Sequence, residues 1–277
     1  MKKDQCIIIN ALQFSGSSIL WNIVSSHPDV LNPGRETGEI LDALQLTGRL
    51  MRSERRNKPV WKECLGKLFK LHVNNLKYAS LKNEDQNDKY PGQKYTAKEI
   101  KDTTVCIKSV NVDFQLNDFI ARQFQKTYVI GLVRNGYAFC DGMERRGRKT
   151  QETCQLYSRF SKFILEQNES GQRFILIRFE DVLSDPFAVA SEIFEFLELD
   201  PVNLEHLRLK SKRILRQDGS HKVPGDKTEG VHYWYDRQEI MSFLDGGIND
   251  VQFTSLKEES RAIFASTCGE DLEKMGY

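Results

Sequence analysis

The chain has 277 residues, 39% hydrophobic and 29% charged, with 18 Gly and 7 Pro, which is a globular composition and not a disordered, collagenous or membrane one. Lys plus Arg number 40 and Asp plus Glu 39, a formal net charge of +1 that argues against a nucleic-acid coat or a polybasic membrane binder. That balance hides a local skew: residues 49–101 carry 14 Lys/Arg against 6 Asp/Glu, a local +8 that leaves −7 for the remainder.

In chain order, Lys2-Lys3 before Ile7-Ile8-Ile9 faintly mimics a signal peptide, but Asp4 and Gln5 interrupt it and the apolar run is too short. No stretch approaches the ~18 apolar residues of a membrane span. Cys6–Leu12 is a short β-rich apolar run, expected as a buried strand. It enters the small-residue cluster Ser15-Gly16-Ser17-Ser18. Ile19, Leu20, Ile23 and Val24 then fall on one face of a helix that stops before His27-Pro28. Val105–Lys108 is a second strand, followed by Phe114, Leu116, Phe119, Ile120 and Phe124 at roughly helical spacing. Tyr128–Val133 is a third strand, ending at Arg134-Asn135-Gly136. Leu156, Phe160, Phe163 and Ile164 mark an amphipathic helix, and Phe174–Ile177 a fourth strand. Asp185-Pro186 reads as an N-cap and first helical residue, opening a helix that buries Val189, Ile193, Phe194 and Leu197. Strands alternating with helices imply an α/β fold, a parallel sheet covered on both faces, in a single domain over 1–277. The basic stretch 49–101 reads as an insertion or lid.

Six dispersed cysteines form no C-x-x-C pair and five histidines show no ligand spacing, so no metal site is expected. Cys6 and Cys106, in apolar runs, read as buried thiols of a reduced, cytoplasmic protein. In a cytoplasmic protein the sequon Asn168-Glu169-Ser170 carries no meaning.

The strand that runs into a Ser/Gly turn and then a helix has the construction of a phosphate cradle. Small residues let the backbone curl, N–H groups converge, and the helix N-terminus adds partial positive charge. A plain strand-to-helix turn with a Ser N-cap is the alternative. The Walker A pattern is absent, because no Lys lies between Lys3 and Lys58. The segment 142–150 echoes that pattern only by coincidence, its Lys being displaced by one.

Three motifs carry a resemblance to a known family. Gln13-Phe14-Ser15-Gly16-Ser17-Ser18-Ile19-Leu20, followed by Ser26-His27-Pro28-Asp29, resembles the 5′-phosphosulfate loop of sulfotransferases that use 3′-phosphoadenylyl sulfate (PAPS). Val129–Gly136, with Arg134, is similar to that family's strand-end element that grips the 3′-phosphate, and Ile177–Leu183 with Asp185-Pro186 resembles its R-Y-E-D-L-x-x-D-P element. The motifs stand in the family's order and span Cys6 to about Leu199. The resemblance implies a P-loop-kinase-like three-layer α/β fold with PAPS as co-substrate and no metal. It places Phe14, Ser15, Gly16, Ser17, Ser18, Arg134, Gly142, Arg146, Phe179 and Lys222 at the nucleotide.

By similarity to the protein-tyrosine sulfotransferase branch, Lys108 would offset charge on the leaving phosphate oxygen. Glu36 would be general base toward the acceptor hydroxyl or amine, with Glu39 as competitor. Plain readings remain beside these: Arg134 as a sheet-capping residue, Arg145–Lys149 as a solvated basic turn, and Lys108 as a strand-end cation. Phe14 stands where the family has Arg or Lys, Gly142 where it commonly has Ser, and Asn135-Gly136 where it has Asp-Pro. The loop Ser220–Lys227 would close over the nucleotide. The implied partner is a small-molecule or carbohydrate acceptor. A catalytically impaired relative that binds nucleotide or glycan is the alternative that Phe14 raises, and a nucleotide kinase on the same frame is disfavoured by the missing Walker Lys.

Overall fold

A computed structural model describes residues 4–45, 59–82, 95–170, 173–199, 204–212, 214–215, 221–223 and 227–277. Strand β1 (Gln5–Ala11) leads into helix α1 (Ser17–Val24), then β2 (Val30–Leu31), α2 (Thr37–Ala43), α3 (Pro59–Lys82) and α4 (Ala97–Asp102). Strand β3 (Thr104–Val110) passes through a 3-10 turn (Asn111–Leu116) into α5 (Asn117–Ala121) and β4 (Lys126–Val133). Then come α6 (Gly136–Glu144), α7 (Thr150–Ser170), β5 (Phe174–Arg178), α8 (Phe179–Ser184) and α9 (Pro186–Phe196). The remainder comprises β6 (His206–Lys210), β7 (Ile214–Leu215), β8 (His221–Lys222), β9 (His232–Asp236), α10 (Arg237–Phe243), α11 (Ile248–Ser255) and α12 (Glu258–Lys274).

Five strands form a parallel sheet in the order β2-β3-β1-β4-β5, flanked by helices in three layers. Two small antiparallel pairs, β6 with β9 and β7 with β8, stand apart from it. All four strands and the helices expected from the apolar runs are present, and the α/β expectation holds. The Phe114–Phe124 run departs in detail, because a 3-10 turn precedes a short α-helix and continuous α geometry is absent. Asp185 caps α9 as expected, its carboxylate accepting from the Phe187 and Ala188 N–H groups at 3.0 Å.

The chain forms two compact units, one from Met1–Asn10 and Val24–Val129, the other from Ala11–Ile23 and Ile130–Tyr277. In the first, Cys6, Ile8, Val105 and Ile107 of the strands meet Ile40 and Leu41 of α2 and Leu116, Phe119 and Ile120. Helix α3 adds Leu65, Phe69 and Val73, spaced by four so that they share one face. This part of the 49–101 segment is therefore built into the core; residues 49–58 and 83–94 lie outside the described residues. In the second unit, Tyr157 and Phe160 of α7 are buried, and Phe264 of α12 meets the Tyr157 ring edge-on with centroids 5.2 Å apart. No helix among the described residues is long and apolar enough to cross a membrane.

Lys77 of α3 is buried at 3% exposure, with Nζ donating to the Thr103 carbonyl at 2.6 Å. Loss of hydration is the main cause that pulls its pKa from the ordinary 10.5 to about 8. Below pH 8 the amine is charged in both folded and unfolded chains, and burying the charge costs the fold about 3 kcal/mol. As pH rises from 8 to 10.5 only the unfolded chain holds the proton, so this cost fades. Lys77→Met should therefore raise the urea midpoint at pH 7, and by less at pH 9.5; a gain equal at both values would refute the assignment.

Candidate active site

The second unit takes up the chain at Ala11, the last residue of β1, and continues into a loop with left-handed backbone at Phe14 (φ 65°) and Gly16 (φ 86°). At position 16 only glycine fits, since a Cβ would lie 2.0 Å from Cε2 of the Phe179 ring. The Gly16 carbonyl accepts from the Ile19 and Leu20 N–H groups and so starts α1. Ser15, 2% exposed, donates its hydroxyl to the Leu12 carbonyl at 2.6 Å, which makes it a stitch within the loop. Ser17 is buried at the first helical position, and Ser18 follows it half-buried.

Arg134 sits at the end of β4, 9% exposed. Its Nη1 donates to the Phe14 carbonyl at 2.9 Å, while Nε and Nη2 donate to Asn249 Oδ1 at 2.9 and 2.8 Å. Nη2 also donates to Gln252 Oε1. Its guanidinium carbon lies 4.9 Å from the centroid of the Phe179 ring, the same ring that closes on Gly16. Burial lowers the Arg134 pKa to about 10, with Glu180 and Asp141 among the charges that oppose the shift, so it remains a cation at neutral pH. Glu180 in turn accepts from Asn249 Nδ2, from the Asn135 N–H at 3.0 Å and from the Tyr277 hydroxyl at 2.6 Å. The expected fork toward a 3′-phosphate is thus committed, at each of its three nitrogens, to protein acceptors.

Asn135 caps α6 through its side chain, which accepts from the Tyr137 and Ala138 N–H groups. Gly142 is buried on that helix, and its carbonyl accepts from Arg146 Nη1 at 2.6 Å. Arg146, exposed just past the helix, lays its guanidinium over the Phe14 ring, 3.6 Å from the centroid. Phe14, Ser15, Gly16, Arg134, Gly142, Arg146 and Phe179 are therefore joined by contact in one cluster. Lys222 is on β8, and its side chain lies outside the described residues, as do Ser220 and residues 224–226 of the expected closing loop.

In the first unit, Lys108 near the end of β3 meets Glu36 with Nζ to Oε1 at 2.7 Å, the lysine 4% exposed. The neighbouring residues repeat the link, Thr37 and Ser109 sharing a hydroxyl hydrogen bond of 2.6 Å. Glu39 acts elsewhere, since its Oε2 accepts the Glu36 N–H at 2.9 Å and caps α2. Asp113, which the motifs did not single out, is close to Gly38, where a Cβ would stand 3.1 Å from its Oδ2. Burial first, then the charge of Glu36, raises the Asp113 pKa. The motifs also missed Asn249 and Gln252. Among the described residues no group of three or more His, Cys, Asp or Glu could hold a metal ion.

Gly16→Ala should prevent the loop from closing, since the left-handed backbone and the Phe179 ring both oppose a methyl group. A loss of at least about 2 kcal/mol in urea unfolding is expected, and a loss below about 0.5 kcal/mol would show that the loop opens at little cost.

The family model described as the sulfotransferase family matches residues 6–203. Among solved structures, the sulfotransferase domain from the Synechococcus PCC 7002 olefin synthase is similar at 16% identity. That match covers 96% of this chain and 94% of the other, with a TM-score of 0.50. The sulfotransferase domain from the curacin biosynthetic pathway is also similar, at 16% identity, 97% and 98% coverage and a TM-score of 0.50. At such identities the likeness is one of fold. No curated protein matches the chain. A family match that takes in the loop after β1, the end of β4 and the start of α8 places this chain in the sulfotransferase family.

Proposed function

We propose that the chain transfers a sulfuryl group from PAPS to a hydroxyl or amine of a small-molecule or carbohydrate acceptor. The observation that carries this reading is the loop 12–18, where a left-handed Gly16 closed by Phe179 starts α1 at the point where a phosphate would meet its N-terminus. Family membership supports the class of reaction.

By the resemblance to the protein-tyrosine sulfotransferase branch, Glu36 and Lys108 would carry the chemistry. The acceptor O–H or N–H proton passes to the Glu36 carboxylate as the oxygen or nitrogen attacks sulfur. The S–O bond to the nucleotide breaks in line, and its electron pair leaves with adenosine 3′,5′-bisphosphate. Lys108 has two uses in this scheme. Before reaction its ammonium holds Glu36 in place, and during reaction it offsets charge growing on the leaving oxygen. Arg134 shapes the loop from behind, because its nitrogens are engaged by Phe14, Asn249 and Gln252.

Phe14 favours a second reading, a nucleotide-binding relative with impaired turnover, since the loop itself contributes no cation at that position. The two readings separate by experiment. Isothermal titration with adenosine 3′,5′-bisphosphate should show binding, and sulfur-35 transfer to a mixed panel of glycans, phenols and amines should show turnover. Binding without transfer selects the second reading, and no binding overturns both.

For the enzyme, Lys108→Ala should lower turnover by about a hundredfold or more while nucleotide affinity changes by less than about threefold. Glu36→Gln should cost about 10²-fold or more, whereas Asp113→Asn should cost less than Glu36→Gln. Equal or greater loss with Asp113→Asn would move the base from Glu36 to Asp113.

A further inference from the structure

Phe14 combines three properties that a tolerated substitution has no reason to combine. It is exposed at 41%, it holds a left-handed backbone that costs a residue with a Cβ about 1 kcal/mol or more, and its main chain is fixed by Arg134 Nη1. A large apolar side chain held out in this way gains little from its own burial. What it touches is Arg146.

The Arg146 guanidinium stacks on the Phe14 ring at 3.6 Å, and Nη1 is tied to the Gly142 carbonyl four residues back. A planar cation on a ring face is attracted by the ring quadrupole. Nε and Nη2 donate to no acceptor among the described residues. A Cβ at Gly142 would stand 3.9 Å from both the Phe14 Cβ and Arg146 Nη1, ordinary contact distance, which puts the three residues side by side. Phe14, Gly142 and Arg146 thus form one contact cluster in which Arg146 is exposed.

We propose that Phe14 is a positioning residue whose ring holds the Arg146 guanidinium at the mouth of the loop, so that Arg146 supplies the positive charge for a phosphate or sulfuryl group bound there. The inference rests on the reading that this loop takes a phosphorylated nucleotide. It assigns Arg146 the binding and Phe14 only the orientation of Arg146.

The test is isothermal titration of the full chain with adenosine 3′,5′-bisphosphate across a double-mutant cycle. Arg146→Gln should weaken binding about tenfold or more, the cost of a lost charge-assisted contact. Phe14→Leu, which keeps the charge but removes the ring face, should weaken it about three- to fivefold. Phe14→Tyr should restore affinity to within about twofold of the unsubstituted chain. The Phe14→Leu/Arg146→Gln double variant should bind no more weakly than Arg146→Gln alone, because the ring acts only through the guanidinium. Phe14→Arg should make Arg146 dispensable, so that Arg146→Gln in that background costs less than about threefold. Phe14 is exposed, so matched urea midpoints are expected for all variants. Additive losses, or a Phe14→Leu variant that binds like the unsubstituted chain, would overturn the inference alone. Absence of binding by the unsubstituted chain would overturn the nucleotide reading and this inference together.

Discussion

The second unit is organised around one buried cation. Arg134 is taken out of water at the end of β4, and an uncompensated charge there would cost several kcal/mol. The structure offsets this by giving each guanidinium nitrogen an acceptor and by placing Glu180 and Asp141 nearby. Those acceptors come from distant parts of the chain: the Phe14 carbonyl from the loop, and the Asn249 and Gln252 side chains from α11. Asn249 and Gln252 are three residues apart on that helix, hence neighbours on one face. Glu180 closes the circuit, accepting from Asn249, Asn135 and Tyr277. The conformation of the loop, the seating of α11 and the start of α6 are consequences of satisfying one guanidinium. In a network of this kind removal of any member strands the others, which is why such groups act together.

In the first unit a carboxylate and an ammonium are held together by the elements that carry them. Glu36 and Lys108 are adjacent to Thr37 and Ser109, so two links, one ionic and one between hydroxyls, fasten the start of α2 to the end of β3. Glu39, three residues into the turn, accepts the Glu36 N–H, while Glu36, the N-cap residue, also directs its carboxylate to Lys108. A helix start commonly gathers acids for the sake of its dipole. Here two such acids form a reciprocal capping box, and Glu36 also meets Lys108.

Much of this was legible in the sequence, for identifiable reasons. Short apolar runs such as Cys6–Leu12 and Tyr128–Val133 are bounded by turn residues, so their strands follow from local pattern. Arg134, Phe179 and Gly16 were visible because they lie in compact motifs. The contact between Gly16 and Phe179 was not visible, since it joins residues 163 positions apart and depends on ring placement to fractions of an ångström. Asn249 and Gln252 carried no signal, being amides in an unremarkable helix whose role exists only because a guanidinium faces them. Around α3 composition and packing speak of different faces: lysines dominate the composition, yet Leu65, Phe69 and Val73 recur every four residues and decide which face is buried. Charge on the solvated face says nothing about the opposite face.

Departures from a motif also change meaning once contacts are known. Taken position by position, Phe14 in place of a cation and Gly142 in place of a hydroxyl are two departures from the pattern that the resemblance implies. In three dimensions they adjoin each other and adjoin Arg146, which stacks on the ring of the first and bonds to the carbonyl of the second. A ring at 14 attracts a guanidinium that an Arg or Lys at the same place would repel. The positive charge at this loop can therefore come from the end of α6 while the loop itself carries none. The constraint acts on the local sum of charge and geometry, which several residue combinations satisfy, so identity at a single motif position is a poor measure of what the site can bind.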